Sequence, residues 1–179
     1  MKKELALIGS FVFLLCTAMR CEENRIDVET ELKEVKLFHV NNTGKQPILA
    51  GDEPVKKEAY MLCIQLLCEE TNLLEKYPHY YLGTPITQLD IYTVENFNEE
   101  YPAGSNISVS FKNYPLTLRD NVVHITERGG VIKDIGSSIG NIYKALMTIP
   151  PAGTYQFRVA LTLANDEIIE RITEPIELY

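Results

Sequence analysis

The alternation of apolar and polar residues is clearest near the C-terminal end of the chain, in residues 154–163. There, aromatic and aliphatic residues occupy every second position. This period of two predicts a half-buried β-strand with Phe157 and Val159 facing the core. Turn-forming residues 164–166 separate this strand from the apolar run 168–178, so the two runs are expected to form a hairpin.

Shorter apolar runs upstream predict further strands, each bounded by Gly, Pro, Asn or Asp. These predicted strands are residues 27–40, 86–94, 122–126 and 142–149. The phase of the first slips along its length, which predicts a β-bulge. Residues 59–70 are apolar at nearly every position, and this periodicity fits a doubly buried strand and a core helix equally. Their place between two turn-bounded strands favours the strand.

Roughly seven or eight strands at this spacing are typical of two antiparallel sheets packed face to face. The sequence therefore predicts an all-β sandwich, and we assign residues 27–179 to one such domain. A length of this size is ordinary for a single domain that buries its own core.

The N-terminal segment is typical of an export signal. Lys2 and Lys3 precede the apolar run 5–15, which small and polar residues follow. A membrane-spanning helix needs about 20 apolar residues, and Arg20 interrupts the run too early for that. Residues 1–20 are predicted to be a signal peptide of the lipoprotein type.

Three cleavage sites compete, and one of them, at Cys16, lies very close to the apolar run. Cys21, followed by Glu22 and Glu23, resembles the lipid-modified first residue of a bacterial lipoprotein, although the residues directly before it depart from the usual lipobox. Small residues at 16–18 would instead suit a conventional signal peptidase and would release a soluble protein. On the first interpretation the lipid attaches the protein to a membrane, and residues 21–26 form an acidic tether.

The net charge excludes one class of partner. The whole chain carries a net charge of −8, and removal of residues 1–20, which carry a net +2, leaves −10. Binding to nucleic acid requires a basic stripe that neutralises phosphates, and the sequence contains none. Nucleic acid is therefore not an expected partner.

Neither a metal nor another cofactor is expected from the cysteines and histidines. Cys63 and Cys68 would point to opposite faces of one strand and lie too far apart for a disulfide, so buried free thiols are expected. His39, His79 and His124 are widely separated and lack the spacing of a metal site.

The sequence offers no constellation that indicates catalysis. The glycine- and serine-rich residues 136–140 lack the spacing of a nucleophile elbow and the Lys of a phosphate loop. Several acidic residues lie in or near predicted loops, where solubility is their ordinary role. These residues are Glu95, Glu99, Glu100, Asp120, Glu127 and Asp134. We therefore expect a protein that is not an enzyme.

Residues 77–81 are the candidate ligand-binding loop. Tyr77, His79, Tyr80 and Tyr81 crowd five positions around a proline. Exposed aromatic side chains with polar tips make good contacts with glycans or proteins. The alternative interpretation is that these tyrosines fold back and seal the edge of the core.

Several motifs along the chain resemble an uncharacterised family of Bacteroidetes lipoproteins. They include Ala59-Tyr60, Leu89-Asp90-Ile91-Tyr92-Thr93, Tyr101-Pro102-Ala103-Gly104-Ser105-Asn106 and Pro151-Ala152-Gly153-Thr154-Tyr155. The resemblance implies an immunoglobulin-like sandwich on the cell envelope and supports Cys21 as the anchor. It transfers no catalytic residue.

Three functions follow as hypotheses from these features. The leading one is a non-catalytic outer-membrane lipoprotein, exposed at the cell surface, that binds a glycan or a protein. A second is a structural or fimbrial-type subunit of the envelope that exchanges strands between molecules. A secreted hydrolase with residues dispersed over loops is the third.

Overall fold

The computed structural model describes residues 26–45, 47–68, 78–114 and 140–179. Within these ranges the chain forms twelve β-strands and two short 3₁₀ turns, Lys57–Ala59 and Ser108–Ser110. In chain order the strands are β1 (Ile26–Thr30), β2 (Leu32–Asn41), β3 (Ile48–Leu49), β4 (Tyr60–Cys68), β5 (Pro78–Leu82), β6 (Ile86–Thr93), β7 (Phe111–Asn113), β8 (Gly140–Leu146), β9 (Gly153–Tyr155), β10 (Phe157–Leu163), β11 (Ile168–Ile172) and β12 (Ile176–Leu178).

Two antiparallel sheets dominate the fold. One has five strands in the order β3-β2-β4-β8-β7, and the other has three in the order β11-β10-β6. Two smaller pairs accompany them, antiparallel β12-β9 and parallel β1-β5. The predicted all-β antiparallel sandwich is confirmed.

The core lies between the five-stranded and three-stranded sheets. Tyr60, Leu62 and Ile64 of β4 are buried on the inner side of the first sheet, and Phe157 and Val159 of β10 are buried in the same cluster. Full burial of each such side chain contributes roughly 1.5–3 kcal/mol. The predicted inward phase of Phe157 and Val159 is confirmed.

Strand β4 is apolar at nearly every position because both of its faces are covered. The side chains opposite the main core, Met61 and Cys63, are also buried, in a second cluster with Val40. Within the ambiguous residues 59–70, Tyr60–Cys68 is therefore a strand, as predicted. Cys63 is a free thiol whose pKa burial raises to about 11. The Cα of Cys68, five residues along the same strand, is about 17 Å away, beyond disulfide reach.

The C-terminal hairpin forms as predicted, with β10 and β11 joined by a tight turn in which Asp166 has a φ of 66°. The predicted strand 154–163 is interrupted at Gln156. Its backbone N–H donates to Glu95 Oε2 at 2.9 Å, and its side-chain amide donates to the Thr173 carbonyl at 2.9 Å. At this break the chain passes from the β9-β12 pair into the three-stranded sheet.

The strand predicted over residues 27–40 is divided in a similar way. It becomes β1 and β2, separated at Glu31, and the register of β2 against β4 shifts between Leu32 and Glu34, where the predicted bulge lies. Such divisions explain why the described residues contain twelve strands, several of them only two or three residues long. Predicted strands 86–94 and 142–149 correspond to β6 and β8.

Some predictions concern residues outside the described ranges. These are the signal peptide, Cys21 and nearly all of the tether, together with the predicted strand 122–126. Within the described ranges, no helix is long and apolar enough to cross a membrane.

Candidate binding face

The candidate site is the face of the β11-β10-β6 sheet that points away from the core, called here the outer face. Because Phe157, Val159 and Leu161 point inward, the side chains between them on β10 point outward. The register places Arg158 between Tyr92 and Ile172, Ala160 between Asp90 and Glu170, and Thr162 between Gln88 and Ile168. The outer face is therefore mostly polar.

A hydrogen-bonded network centred on Asp90 organises one side of this face. Gln88 Nε2 donates to Asp90 Oδ2 at 2.6 Å, and Asn106 Nδ2 donates to Asp90 Oδ1 at 3.1 Å. The Ser108 hydroxyl donates to the same Oδ1 at 3.4 Å. These bonds hold a carboxylate and two amide side chains in fixed orientations on the surface.

The segment 104–108 brings Asn106 and Ser108 to the network by running along the edge of β6. Its backbone bonds join Gly104 N to Thr93 O at 2.9 Å and Ile107 N to Ile91 O at 2.8 Å. Gly104 has a φ of +81°, a conformation that residues with a side chain rarely adopt. The buried side chain of Ile107 anchors the segment in the core.

Arg158 occupies the centre of the outer face and is held by two neighbours. Its guanidinium lies 4.1 Å from the centre of the Tyr92 ring, and it forms an ion pair with Glu170. Partly exposed contacts of these kinds contribute little to stability, about 1 kcal/mol or less each. Their main effect is to hold the guanidinium between Tyr92 and Glu170.

The charge and shape of the outer face limit what it can bind. Ala160 is short and buried, and the longer polar side chains of Asp90, Arg158 and Glu170 form a layer around it. Two carboxylates, from Asp90 and Glu170, outnumber the single guanidinium of Arg158. This layer can both donate and accept hydrogen bonds, and its net negative charge disfavours anionic ligands.

The prediction that residues 77–81 form a loop is wrong for the residues that the structure describes. Tyr77 lies outside the described residues, and Pro78–Leu82 is strand β5 instead of a loop. It pairs in parallel with β1, with His79, Tyr80 and Tyr81 opposite residues 27–29. Tyrosines favour strands. The partner strand of β5 is β1, which lies far away in the sequence, so the local pattern did not indicate this pairing. The side chains at 79–81 lie outside the description, so their ligand contacts stay a prediction.

His39 is the one histidine whose side chain is described, and it is buried and hydrogen-bonded within the fold. Its ring bonds the Tyr60 hydroxyl through Nδ1 at 2.9 Å, and Nε2–H donates to the Glu174 carbonyl at 2.7 Å. Burial lowers the pKa of His39, an effect partly offset by that bond and by the Glu174 charge. In the described ranges, no three His, Cys, Asp or Glu residues cluster as a metal site would need.

The structure describes three of the six acidic residues considered as catalytic candidates. Glu95 accepts the backbone N–H of Gln156, and Glu99 and Glu100 are exposed in the following loop. The other three candidates, Asp120, Glu127 and Asp134, lie outside the described residues, as do residues 136–139 and the side chain of His124.

Comparison with known sequences assigns the chain to a family. A family described as a domain of unknown function (DUF5034) matches residues 32–174, which include β2 through β11. The chain belongs to this family. The match contains the whole outer face, and no activity accompanies the family description. No curated protein matches the chain.

One solved structure that is similar is the C-terminal domain of the AgI/II polypeptide BspA of Streptococcus agalactiae. The sequences are 12% identical, and the alignment covers 82% of this chain and 49% of that chain, with a TM-score of 0.26. This DUF5034 chain thus matches about half the length of that structure.

Sequence reasoning missed the outer face because it followed only the inward phase of each strand. The signal was available on β6 and β10, where the positions between the apolar residues are Gln88, Asp90, Tyr92 and Arg158. What could not be read from the pattern is the contribution of Asn106 and Ser108, which reach Asp90 from a separate segment.

Proposed function

We propose that this protein is a non-catalytic binding module of the cell envelope that recognises a neutral glycan on its outer face. The observation that carries the proposal is the network in which Gln88, Asn106 and Ser108 all bond the carboxylate of Asp90. The network lies next to Tyr92 and Arg158, whose guanidinium lies over the Tyr92 ring.

A glycan suits this arrangement because each sugar hydroxyl both donates and accepts a hydrogen bond. The amides of Gln88 and Asn106 offer donors and acceptors, the carboxylates accept, and the guanidinium of Arg158 donates. Because hydrogen bonds within the protein already orient these groups, their side chains lose less conformational entropy when a ligand binds.

Charge favours a neutral ligand over an acidic one. The outer face carries one more carboxylate than guanidinium, and the whole chain has a net charge of −8. A sulfated or uronic-acid polymer would meet repulsion on approach and at the site. Neutral oligosaccharides avoid that cost.

The proposal includes attachment to the outer membrane through a lipid on Cys21, which would present the domain at the cell surface. The export signal and the acidic residues after Cys21 support it. Changing Cys21 to Ser should abolish metabolic lipid labelling and move the protein to the soluble fraction. Labelling lost only with Cys16→Ser would instead place the lipid on Cys16.

The binding proposal is tested by screening the purified protein against neutral and acidic glycans. We expect neutral oligosaccharides among the ligands, and Asp90→Ala should weaken their binding by at least about 2 kcal/mol, as loss of a binding hot spot does. Lys112→Ala is the matched control, since Lys112 is exposed on β7 of the other sheet. It should bind like the parent.

A second variant separates the two candidate sites. Replacing Tyr80 and Tyr81 together by Ala should leave glycan binding intact if the outer face is the site. The opposite result would assign the site to β5: the tyrosine double variant would lose binding, and Asp90→Ala would keep the parent's affinity. Binding to no neutral glycan would contradict the proposed function.

A further inference from the structure

Strand β11 forms an edge of the three-stranded sheet. It pairs with β10 on one side, and among the described residues no strand pairs with its other side. Two of its isoleucines are exposed, Ile168 at 61% and Ile172 at 56%. An exposed apolar edge strand offers unpaired backbone groups and is a template for pairing with another chain.

The register identifies which backbone groups of β11 point outward. Leu163 N–H donates to Glu167 O at 2.8 Å, and Thr173 N–H donates to Phe157 O at 2.9 Å. In an antiparallel ladder such bonded positions alternate, so residues 169 and 171 also bond β10. The N–H and C=O groups of Ile168, Glu170 and Ile172 therefore point away from β10. The Glu170 carbonyl accepts a hydrogen bond from the Arg171 guanidinium at 2.7 Å, which pairing with another strand would replace.

These three residues are self-complementary, since Ile168 and Ile172 are equidistant from Glu170. We propose that β11 pairs antiparallel with β11 of a second copy about a two-fold axis at Glu170. Ile168 then lies opposite Ile172 of the other copy, and all three outward residues of each strand find backbone partners. The two outer faces join into one six-stranded surface.

There is room for the second strand. A groove of about 340 Å³ lies beside β11, lined by residues 32–35 of β2 and residues 167–171. Strand β3 pairs only with Val40 and Asn41 of β2, so among the described strands none pairs with the β2 edge that borders this groove. An added strand would occupy this space, and its own Ile172 and Ile168 would lie beside the exposed Ile168 and Ile172 on the outer face.

The same symmetry predicts that the dimer is weak and sensitive to charge. Only three residues of each strand pair, and the two Glu170 carboxylates lie opposite each other on one face. Like charges in that position oppose pairing. Glu170→Gln should therefore tighten self-association roughly 1.5- to 5-fold, measured by analytical ultracentrifugation.

A cysteine scan of the full-length protein tests the register directly. Two Glu170 Cα atoms on the axis would be about 5.5 Å apart, whereas two copies of residue 168, or of residue 172, would be about 14 Å apart. With a short thiol crosslinker, Glu170→Cys should give covalent dimer above the parent background. Ile168→Cys and Ile172→Cys should each stay at background singly, and the double variant should crosslink.

A charge variant gives an independent readout. Combined Ile168→Lys and Ile172→Lys should sediment as a monomer where the parent dimerises, with an unchanged melting temperature. Val109→Lys is the matched control, because Val109 is a 77% exposed residue away from β11, and it should dimerise like the parent. Equal crosslinking at residues 168, 170 and 172, or a parent that stays monomeric at all concentrations, would overturn the proposal. The inference is independent of glycan binding.

Discussion

The two faces of the three-stranded sheet are built from the same strands and have opposite characters. The inner face packs Phe157 against the rings of Tyr60, Phe111 and Tyr155 in the core. The outer face carries hydrogen-bonded polar groups that are partly or fully exposed, such as Asp90 and Gln88. The inner face therefore contributes most of the stability, and the outer face is the one to which we assign recognition in the proposed function.

The largest expected difference between the faces is at neighbouring residues of β10. Phe157→Ala should lower the free energy of unfolding by about 3–5 kcal/mol, because it opens a cavity among packed rings. Arg158→Ala should lower it by about 1 kcal/mol or less, since its contacts are partly exposed. Urea denaturation of both variants measures this. Equal losses would show that the inward phase of β10 is wrong.

A smaller difference is expected between two tyrosines. Tyr60→Phe removes the hydroxyl that bonds His39 in the core and should cost about 1–3 kcal/mol of unfolding free energy, since it leaves the ring nitrogen without its partner. Tyr92→Phe, on the outer face, should change stability by about 0.5 kcal/mol or less. Thermal melts of the two variants measure this difference, and equal losses of stability would contradict it.

Acidification should act through the inner residue His39. Its pKa in the folded protein is lowered from the usual 6.5 chiefly by burial, so below that pH the unfolded chain binds a proton more readily. This contribution to stability is present above about pH 6.5 and is lost as the pH falls through the folded pKa. NMR titration of the histidine rings should show His39 titrating below 6.5. A pKa of 6.5 or higher would contradict its buried, neutral state.

The Cys63 thiol should be unreactive in the folded protein. Its pKa of about 11 means that very little thiolate exists at neutral pH, and its burial blocks access. Mass spectrometry after brief alkylation of the folded protein should find Cys63 unmodified and modified only after denaturation. Rapid labelling of the folded protein would indicate that the second apolar cluster opens.

How far the sequence could predict this structure depends on the range of the interactions. The strand at 154–163 and the bulge near Leu32 leave local signals in the order of apolar residues. The pairing of β1 with β5 left none, because it joins segments some fifty residues apart in parallel register. Residues 77–81 were therefore interpreted as a loop, although Pro78–Leu82 is a strand.

The hydrogen-bonded network on the outer face could not be predicted, for a related reason. Alternation identifies Asp90 and Arg158 as outward-pointing, but their function depends on which neighbours the register supplies. Asn106 reaches Asp90 only because segment 104–108 follows the edge of β6. Such a network is set by tertiary structure, and periodicity carries no information about it.

The central claim, that the outer face binds a neutral glycan, is tested most directly by NMR titration with neutral oligosaccharides. The side-chain amides of Gln88 and Asn106 lie on the outer face, and those of Asn141 on β8 and Asn165 in the β10-β11 turn serve as internal controls. The account predicts that the Gln88 and Asn106 signals shift with saturable dependence on ligand concentration while the Asn141 and Asn165 signals stay in place. Saturable shifts confined to backbone amides of residues 79–82, or no saturable shift with any neutral oligosaccharide, would contradict it.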